Sequence, residues 1–299
     1  MTKTLLSIGH GFSARALAPL LLDRGWTVIG TTRRREKAKT LQTEGVVPLI
    51  WPGNPLPLDQ ATHLLTSVAP GQDGDPVLAE TSEALQAAGH IEWAGYLSTT
   101  GVYGDHGGGW VDENAALTPE TKRGQARVKA EAEWAKLGLP LHIFRLAGIY
   151  GPGRGPFTKV RNGTARRIIK EGQVFSRTHV EDIAQVLMAS IDRPNPGAAY
   201  NVCDDNPAPP QDVIAYAAEL LGLPIPPEVP FEEADMTAMA RSFYSDSKKV
   251  SNDRIKNELG VKLLFPTYQA GLKALLEDET DAPIIGSKIS PGSGGRAPS

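Results

Sequence analysis

Short continuous apolar runs alternate with longer stretches of helical spacing over the first two thirds of the chain. The apolar runs predict buried strands over residues 4–8, 26–32, 46–50, 62–68, 93–100, 141–146 and 199–202. The stretches between them predict helices, the clearest of them over 36–44, 76–88, 125–137 and 180–191. Strands separated by helices are typical of α/β proteins, so we expect a doubly wound parallel sheet that is covered on both faces.

The first strand ends in a glycine turn that leads directly into an apolar helix. In the pattern Gly9-x-Gly11-x-x-Ala14, Gly9 can adopt unusual backbone angles and Gly11 lets a pyrophosphate approach the backbone. The helix N-terminus offers free N–H groups and a partial positive charge to the phosphates. This order predicts a dinucleotide site, for which a plain tight turn is the alternative. Its predicted cofactor-binding residues are Gly9, Gly11, Phe12, Ser13 and Ala14.

The end of the second strand favours NADP over NAD. An NAD site carries an acidic residue about 20 positions after the glycines, where it binds the ribose 2′-hydroxyl. This chain has Thr32, Arg33 and Arg34 there, with no acid before Glu36. Arginines form charge-assisted hydrogen bonds with phosphate, so we predict that these three residues bind the 2′-phosphate of NADP. The alternative is a solvated basic helix start, which would be mildly unfavourable without an anion.

A third segment completes the predicted cofactor site. Ser67, Val68 and Ala69 follow the fourth predicted strand. They should lie at its carboxyl end, where they would border the two riboses of the cofactor. A covered sheet edge without ligand contact is the alternative.

The remaining regions, 151–172 and 207–276, contain more proline and lack strand periodicity. We therefore expect a Rossmann domain over 1–150 plus 176–203. A small, mostly helical substrate lobe should be formed by 151–175 plus 204–280. Residues 281–299 are predicted to be a disordered tail, because the end of the chain is rich in Ser, Gly and Pro.

Composition narrows the class of protein. A formal net charge of -3 gives no bulk attraction for nucleic acid. The single cysteine, Cys203, excludes an intrachain disulfide and fits a reducing compartment. The first apolar run is too short for a signal core or a membrane span, and the six histidines lack metal-ligand spacing. We therefore expect a cytoplasmic protein with a small-molecule substrate and without metal, membrane or nucleic-acid partners.

Four further segments carry a family resemblance. Residues 97–104 read LSTTGVYG, 145–154 read RLAGIYGPGR, 177–184 read RTHVEDIA and 200–202 read YNV. With the glycine turn, they resemble the extended and atypical short-chain dehydrogenase/reductase superfamily, in its NAD(P)-dependent epimerase/dehydratase-like branch. The resemblance covers residues 3–278. It implies a Rossmann sheet with a substrate lobe, hydride transfer by a nicotinamide cofactor, and a homodimer through the helix at 125–137.

The resemblance also implies catalytic positions, and here the chain departs from the family pattern. The substrate-orienting hydroxyl falls on Thr99, with Thr100 beside it. The family's Tyr-x-x-x-Lys pair falls on Arg123 and Arg127 when Glu131 sets the register. Arg123 stays protonated and is a poor acid or base, whereas Arg127 could contact the nicotinamide ribose or a phosphate. Tyr103 is the other candidate acid, with a packing role as its alternative.

A literal Tyr-x-x-x-Lys does occur at Tyr244 to Lys248, but it lies far downstream and fits a chance match. Two hypotheses therefore stay open. One is an NADP-dependent oxidoreductase or epimerase that acts on a small polar, nucleotide-sugar-like substrate. The other is a catalytically silent protein that binds NADP as a signal. A nucleic-acid-binding or partner-binding scaffold has little support from charge or motif.

Overall fold

The computed structural model describes residues 2–281, and strands and helices alternate along most of this range. The strands are β1 (Thr4–Ile8), β2 (Thr27–Thr32), β3 (Val47–Ile50), β4 (His63–Thr66), β5 (Trp93–Thr99), β6 (Trp110–Val111), β7 (Leu141–Leu146), β8 (Gly148–Tyr150), β9 (Arg167–Ile169), β10 (Arg177–His179), β11 (Ala199–Val202), β12 (Glu228–Pro230) and β13 (Lys249–Val250). The helices are α1 (Phe12–Leu22), α2 (Arg35–Thr43), α3 (Pro76–Ala87), α4 (Lys122–Trp134), α5 (Phe157–Arg161), α6 (Val180–Asp192), α7 (Pro210–Leu220), α8 (Ala238–Phe243), α9 (Asp253–Asn257) and α10 (Tyr268–Asp281). Short 3₁₀ helices cover Leu58–Gln60, Thr100–Tyr103 and Ala135–Leu137.

Seven of the strands form one parallel sheet in the order β11-β7-β5-β4-β1-β2-β3. Helices α1 and α6 pack on one face, where Leu17 and Ile183 lie in the same buried cluster. Helices α3 and α4 cover the other face, where Tyr96 of β5 packs against Trp134 of α4. The predicted α/β class with a doubly wound parallel sheet is confirmed. Because every strand pairing in this sheet is parallel, the carboxyl ends of all seven strands lie at one edge of the sheet.

A second, smaller core lies over that edge. It joins Tyr150 of β8 to apolar residues of α5, α7 and α10, among them Phe157, Val213 and Leu272. Helix α10 approaches Tyr150 so closely that a Cβ on Gly271 would lie 2.1 Å from the tyrosine hydroxyl. The segments that build this core come from both lobe regions that the sequence predicts.

The structure corrects two expectations about these elements. The lobe was expected to consist of helices and connections without sheet periodicity, yet β9 pairs with β12 in a small parallel ribbon, and β13 pairs with β6, which lies before the lobe. Strands of two or three residues are too short to show an alternating pattern. The helix expected over 125–137 begins at Lys122, because the Thr121 hydroxyl caps it by accepting a hydrogen bond from the Gly124 N–H at 3.1 Å.

Two further predictions concern the C-terminal tail and membrane-spanning helices. The predicted tail, apart from residue 281, lies outside the described residues. Within residues 2–281, the structure has no helix with the length and apolar character needed to cross a bilayer.

Candidate functional site

The strand order reverses between β1 and β4, so the crevice typical of open α/β sheets is expected beside the segments that follow these two strands. Ligands of open α/β sheets bind at such a switch point, outside the carboxyl ends of the strands. The glycine turn follows β1, and Ser67 and Val68 follow β4. The structure therefore brings together two of the three segments that the sequence assigns to a cofactor.

Gly9 meets a steric requirement that only glycine satisfies well. Its φ is +76°, and a Cβ would lie 2.8 Å from Val68 Cγ2 and 3.2 Å from Ser67 Oγ. The Ser67 hydroxyl donates a hydrogen bond to the Gly9 carbonyl. The turn and the segment after β4 are thus fixed to each other, with Ala69 exposed beside them.

Phosphate-binding geometry appears at the start of α1. No side chain caps this helix, and within residues 2–281 the N–H groups of Phe12 and Ser13 have no backbone or side-chain acceptor. A Cβ on Gly11 would meet only the Gly9 carbonyl, at 3.5 Å, so the approach over Gly11 is open. Ala14 is buried against the sheet, as close helix packing requires. These features fit the pyrophosphate of a dinucleotide.

The turn is also tied to the end of β2, through residues that the sequence did not assign to the site. The Gly9 N–H donates to Thr31 Oγ1 at 2.7 Å, and the His10 N–H donates to the Thr31 carbonyl at 3.0 Å. The His10 ring is buried, with Nδ1 2.9 Å from Ser7 Oγ. Burial, helped by the charge of Lys37, lowers the pKa of His10 to about 4, so the ring is neutral at pH 7. The sequence signal for Ser7 and Thr31 was that each is a polar residue inside an otherwise apolar strand, β1 and β2 respectively.

Basic side chains gather where β2 ends. Thr32 is buried and accepts a hydrogen bond from the Arg34 N–H at 3.3 Å, while the side chains of Arg33 and Arg34 are exposed. Partial burial, together with the charges of Arg15 and Arg34, lowers the pKa of Lys37. Burial is the larger cause, and the charge of Glu44, which pairs with Arg15, partly offsets the effect of the two arginines. Lys37 and Arg15 were not predicted as site residues, because their proximity arises from the packing of α1 against α2.

Thr99 ends β5 at the same edge of the sheet. Its Oγ1 accepts a hydrogen bond from the Gly101 N–H at 3.1 Å, which leaves its own proton for another acceptor. Thr100 is half-buried beside it and begins the 3₁₀ helix. A hydroxyl held in this way can donate to a substrate oxygen, which is the role that the sequence predicts.

Arg127 is anchored to β5. Its Nη1 donates to the Leu97 carbonyl at 2.8 Å and to the Tyr96 hydroxyl at 2.9 Å. Burial raises the pKa of Tyr96 to about 12, so this hydroxyl stays neutral beside the guanidinium. Arg127 thus contacts β5 two and three positions before Thr99, and both hydrogen bonds support the strand. Its predicted contact with a ribose or phosphate stays a prediction.

Tyr103 occupies the interior. The side chain is fully buried, and its hydroxyl donates to Asn201 Oδ1 at 2.7 Å and accepts from Arg145 Nη1 at 3.0 Å. Burial raises its pKa further above the physiological range. The geometry supports the packing role, and we do not assign Tyr103 to the reaction. The downstream Lys248 is similarly occupied, since it is buried and donates to the Gly104 carbonyl at 2.6 Å.

Two further arginines contact aromatic rings, one beside the glycine turn and one in the lobe. Arg154 follows β8, and its Cζ lies 5.5 Å from the centroid of the Phe12 ring at the start of α1. Arg123 is exposed on the first turn of α4, and its Cζ lies 4.3 Å from the centroid of the Phe243 ring of α8. Arg154 is the last residue of the segment 145–154, for which the family resemblance implies no role at this position. Among residues 2–281, no group of three or more His, Cys, Asp or Glu side chains could hold a metal ion.

Comparison with known proteins identifies proteins that are similar to this chain in sequence. No family model matches the chain. The protein YeeZ of Escherichia coli K12 is 28% identical over 283 residues, which are 88% of this chain and 97% of that protein. A 3-diazoavenalumate denitrifying reductase of a Streptomyces species is 30% identical over 161 residues, about half of each chain (49% and 52%).

Solved structures show the same fold. A functionally unknown conserved protein from Silicibacter pomeroyi has 60% identity and a TM-score of 0.90 over 93% of this chain and 99% of its own. A dTDP-glucose 4,6-dehydratase from Bacillus anthracis in complex with NAD has 18% identity and a TM-score of 0.76 over 94% and 97%. The human epimerase family protein SDR39U1 with NADPH has 19% identity and a TM-score of 0.69 over 93% and 100%. The predicted resemblance to extended short-chain dehydrogenases/reductases is thereby confirmed in the fold.

Proposed function

The chain belongs to the same family as the conserved Silicibacter pomeroyi protein, and we propose that it is an NADP-dependent oxidoreductase or epimerase-like enzyme of the short-chain dehydrogenase/reductase type. Its substrate would be small and polar, of a nucleotide-sugar-like kind. A cytoplasmic location and a homodimer through α4 belong to the same proposal. The names of the dehydratase, the epimerase family protein and the Streptomyces reductase support nicotinamide chemistry.

One observation carries the cofactor assignment. The open turn over Gly11 and the unpaired N–H groups of α1 lie beside a strand end that has arginines instead of an acid. Arg33 and Arg34 are exposed, and the charges of Arg15 and Arg34 add to the effect of burial in lowering the pKa of Lys37. When bound, the cofactor would supply the hydride. The chain would supply the binding contacts and the Thr99 hydroxyl that orients the substrate oxygen.

Fluorescence titration with NADPH and NADH tests this assignment. We expect tighter binding of NADPH. The double variant Arg33→Gln/Arg34→Gln should lose about tenfold in NADPH affinity and keep its NADH affinity, since only the 2′-phosphate contacts are removed. Lys39→Gln, an exposed charge farther along α2, is the matched control and should change neither affinity. Tighter binding of NADH by the wild type would overturn the NADP assignment.

A second candidate function is a silent NADP-binding protein. It is favoured by Arg123 and Arg127 at the positions of the family's acid–base pair, and by the hydrogen bonds that tie Arg127 to β5. Turnover separates the two candidates. NADPH oxidation over a panel of carbonyl compounds should fall about a hundredfold in Thr99→Val if Thr99 orients the substrate, with NADPH affinity unchanged. Thr81→Val on α3 is the control. Tight NADPH binding with no turnover on any compound would favour the silent protein.

A further inference from the structure

The first turn of α4 places a permanent cation between the end of β5 and the lobe. Helix α4 packs against the 3₁₀ helix that follows β5, where a Cβ on Gly124 would lie 3.0 Å from the Gly101 carbonyl. Arg123 precedes Gly124 and reaches the other way, onto the face of Phe243 in the lobe. Arg123 therefore lies between the strand end that carries Thr99 and the lobe helix α8.

This guanidinium lacks a charged partner. Within residues 2–281, no carboxylate lies within 4.0 Å of Arg123. The first turn of α4 contains no acidic residue, and the neighbouring Lys122 adds a second positive charge. Cations are unfavourable at this end of a helix unless an anion neutralises them. The location thus carries an electrostatic cost that an anionic ligand would relieve.

The lobe adds two more cations near α8, and both donate hydrogen bonds to backbone carbonyls, Lys170 to that of Tyr244 and Arg241 to that of Ala234. Lys170 Nζ and Arg241 Cζ lie 5.3 Å and 4.7 Å from the centroid of the Phe231 ring. Neither forms an ion pair with a carboxylate in the described part of the chain. Phe231 is linked to α8 through Tyr244, whose ring centroid is 5.3 Å away. Cations on aromatic faces therefore continue from Arg123 into the lobe.

Acidic residues also occur in this region: Glu171 adjoins Lys170, and Glu232, Glu233 and Asp235 follow Phe231. Asp105 accepts a hydrogen bond from the Ser247 N–H at 2.7 Å, and this bond is the main reason why its pKa is lowered. Asp246 pairs with Lys248 at 3.4 Å. Arg123 itself, and not a net positive charge of the region, is therefore the feature that an anionic ligand would use.

We propose that Arg123 binds an anionic group of the substrate, a carboxylate or a phosphate, and so determines which substrates the site accepts. The proposal rests on the proposed function in one respect, that the region between the end of β5 and α8 is the substrate site beside the cofactor. A guanidinium stays charged at neutral pH and pairs with both oxygens of a carboxylate or phosphate. Phe243, which is 52% exposed, offers an apolar face beside it. Arg123 thereby has a binding role at a position where it could not act as an acid.

Three probes that share one ring test the proposal: benzoate, phenyl phosphate and the neutral benzamide. Each is titrated into the NADP⁺-saturated wild type, Arg123→Gln, Arg123→Lys and the control Lys122→Gln, with binding followed by saturation-transfer NMR. We expect the wild type to bind at least one anion more tightly than benzamide. Arg123→Gln should lose about tenfold of that affinity, and Lys122→Gln should lose none. The anion that loses affinity distinguishes carboxylate from phosphate, and Arg123→Lys should rescue it in part.

Equal affinities for the three probes in the wild type, absence of anion binding, or unchanged anion affinity in Arg123→Gln would each overturn the proposal. NADPH titration and thermal unfolding of the same samples show whether a variant is folded, and Arg123→Lys carries the test if Arg123→Gln is not. Failure of the wild type to bind NADPH would reject the proposed function instead. The anion titration without cofactor would then still decide the role of Arg123.

Discussion

Replacing Glu131 by glutamine should destabilise the protein by about 3 kcal/mol, because the change leaves the Arg145 guanidinium charged and buried. The two side chains are 5% and 7% exposed, and Arg145 Nη2 donates to Glu131 Oε2 at 2.9 Å. Burial opposes the charge on Arg145, but the hydrogen bond and the charge of Glu131 outweigh it and raise the pKa of Arg145. Removal of one partner of a buried pair costs about 3–5 kcal/mol. We take the lower figure, because the Tyr103 hydroxyl still accepts from Arg145 at 3.0 Å.

Urea unfolding followed by far-UV circular dichroism measures this loss. The midpoint should fall by up to about 1 M if the unfolding slope is near 3 kcal/mol per M. The double variant Glu131→Gln/Arg145→Met should recover part of the loss, since it removes the orphaned charge. A midpoint for Glu131→Gln that equals the wild type, or a double variant that loses the sum of both single losses, would refute this account of the pair.

Two further predictions concern the glycine turn at Gly9 and the buried His63. Gly9→Ala should weaken NADPH binding more than tenfold, because the φ of +76° and a contact of 2.8 Å with Val68 both disfavour a Cβ at this position. The control is Gly25→Ala, whose φ is +75° and which has open space around it. This variant should lose stability without losing NADPH affinity. Unchanged NADPH affinity in Gly9→Ala would contradict the proposed turn. Burial is the main reason why the pKa of His63 is lowered to about 4. Between about pH 6.5 and pH 4, His63 is therefore protonated in the unfolded chain and neutral in the folded chain. The free energy of unfolding consequently falls as the pH drops through this range. Subtracting the pH curve of His63→Gln should isolate a loss of about 3 kcal/mol. The subtraction cancels the opposite contribution of Asp204, whose pKa is raised by burial to about 7. Two parallel curves would count against this prediction.

Elements that rest on local patterns were predictable from the sequence. The seven strands of the large sheet are continuous apolar runs, and the glycine turn at Gly9 is a local requirement for backbone angle and space. The ribbon formed by β9 and β12 was missed, because three residues in each strand pair without an alternating pattern. Helix α4 was predicted three residues late, since Gly124 interrupts the helical preference that the Thr121 cap restores.

The site was predictable only where its residues follow strand ends. Thr99 lies where the strand register places it, next to the crevice. The anchoring of Arg127 on the Leu97 carbonyl and the contact of Arg123 with Phe243 depend on how α4 meets a strand and a lobe helix. Such contacts join residues that are distant in the sequence, and no local pattern encodes them. The same holds for Thr31, whose hydroxyl binds Gly9 across two strands.

The lobe core draws on two separate stretches of the chain, and this limits how its specificity could be exchanged between relatives. Phe157 and Val160 come from the excursion after β8, whereas Val213 and Leu272 come from the region after β11. A chimera with a single crossover after β11 would join half of one parent's lobe core to half of another's. Recombination of substrate specificity therefore requires two crossovers on the first stretch and one on the second, so that the packed core is inherited as one unit.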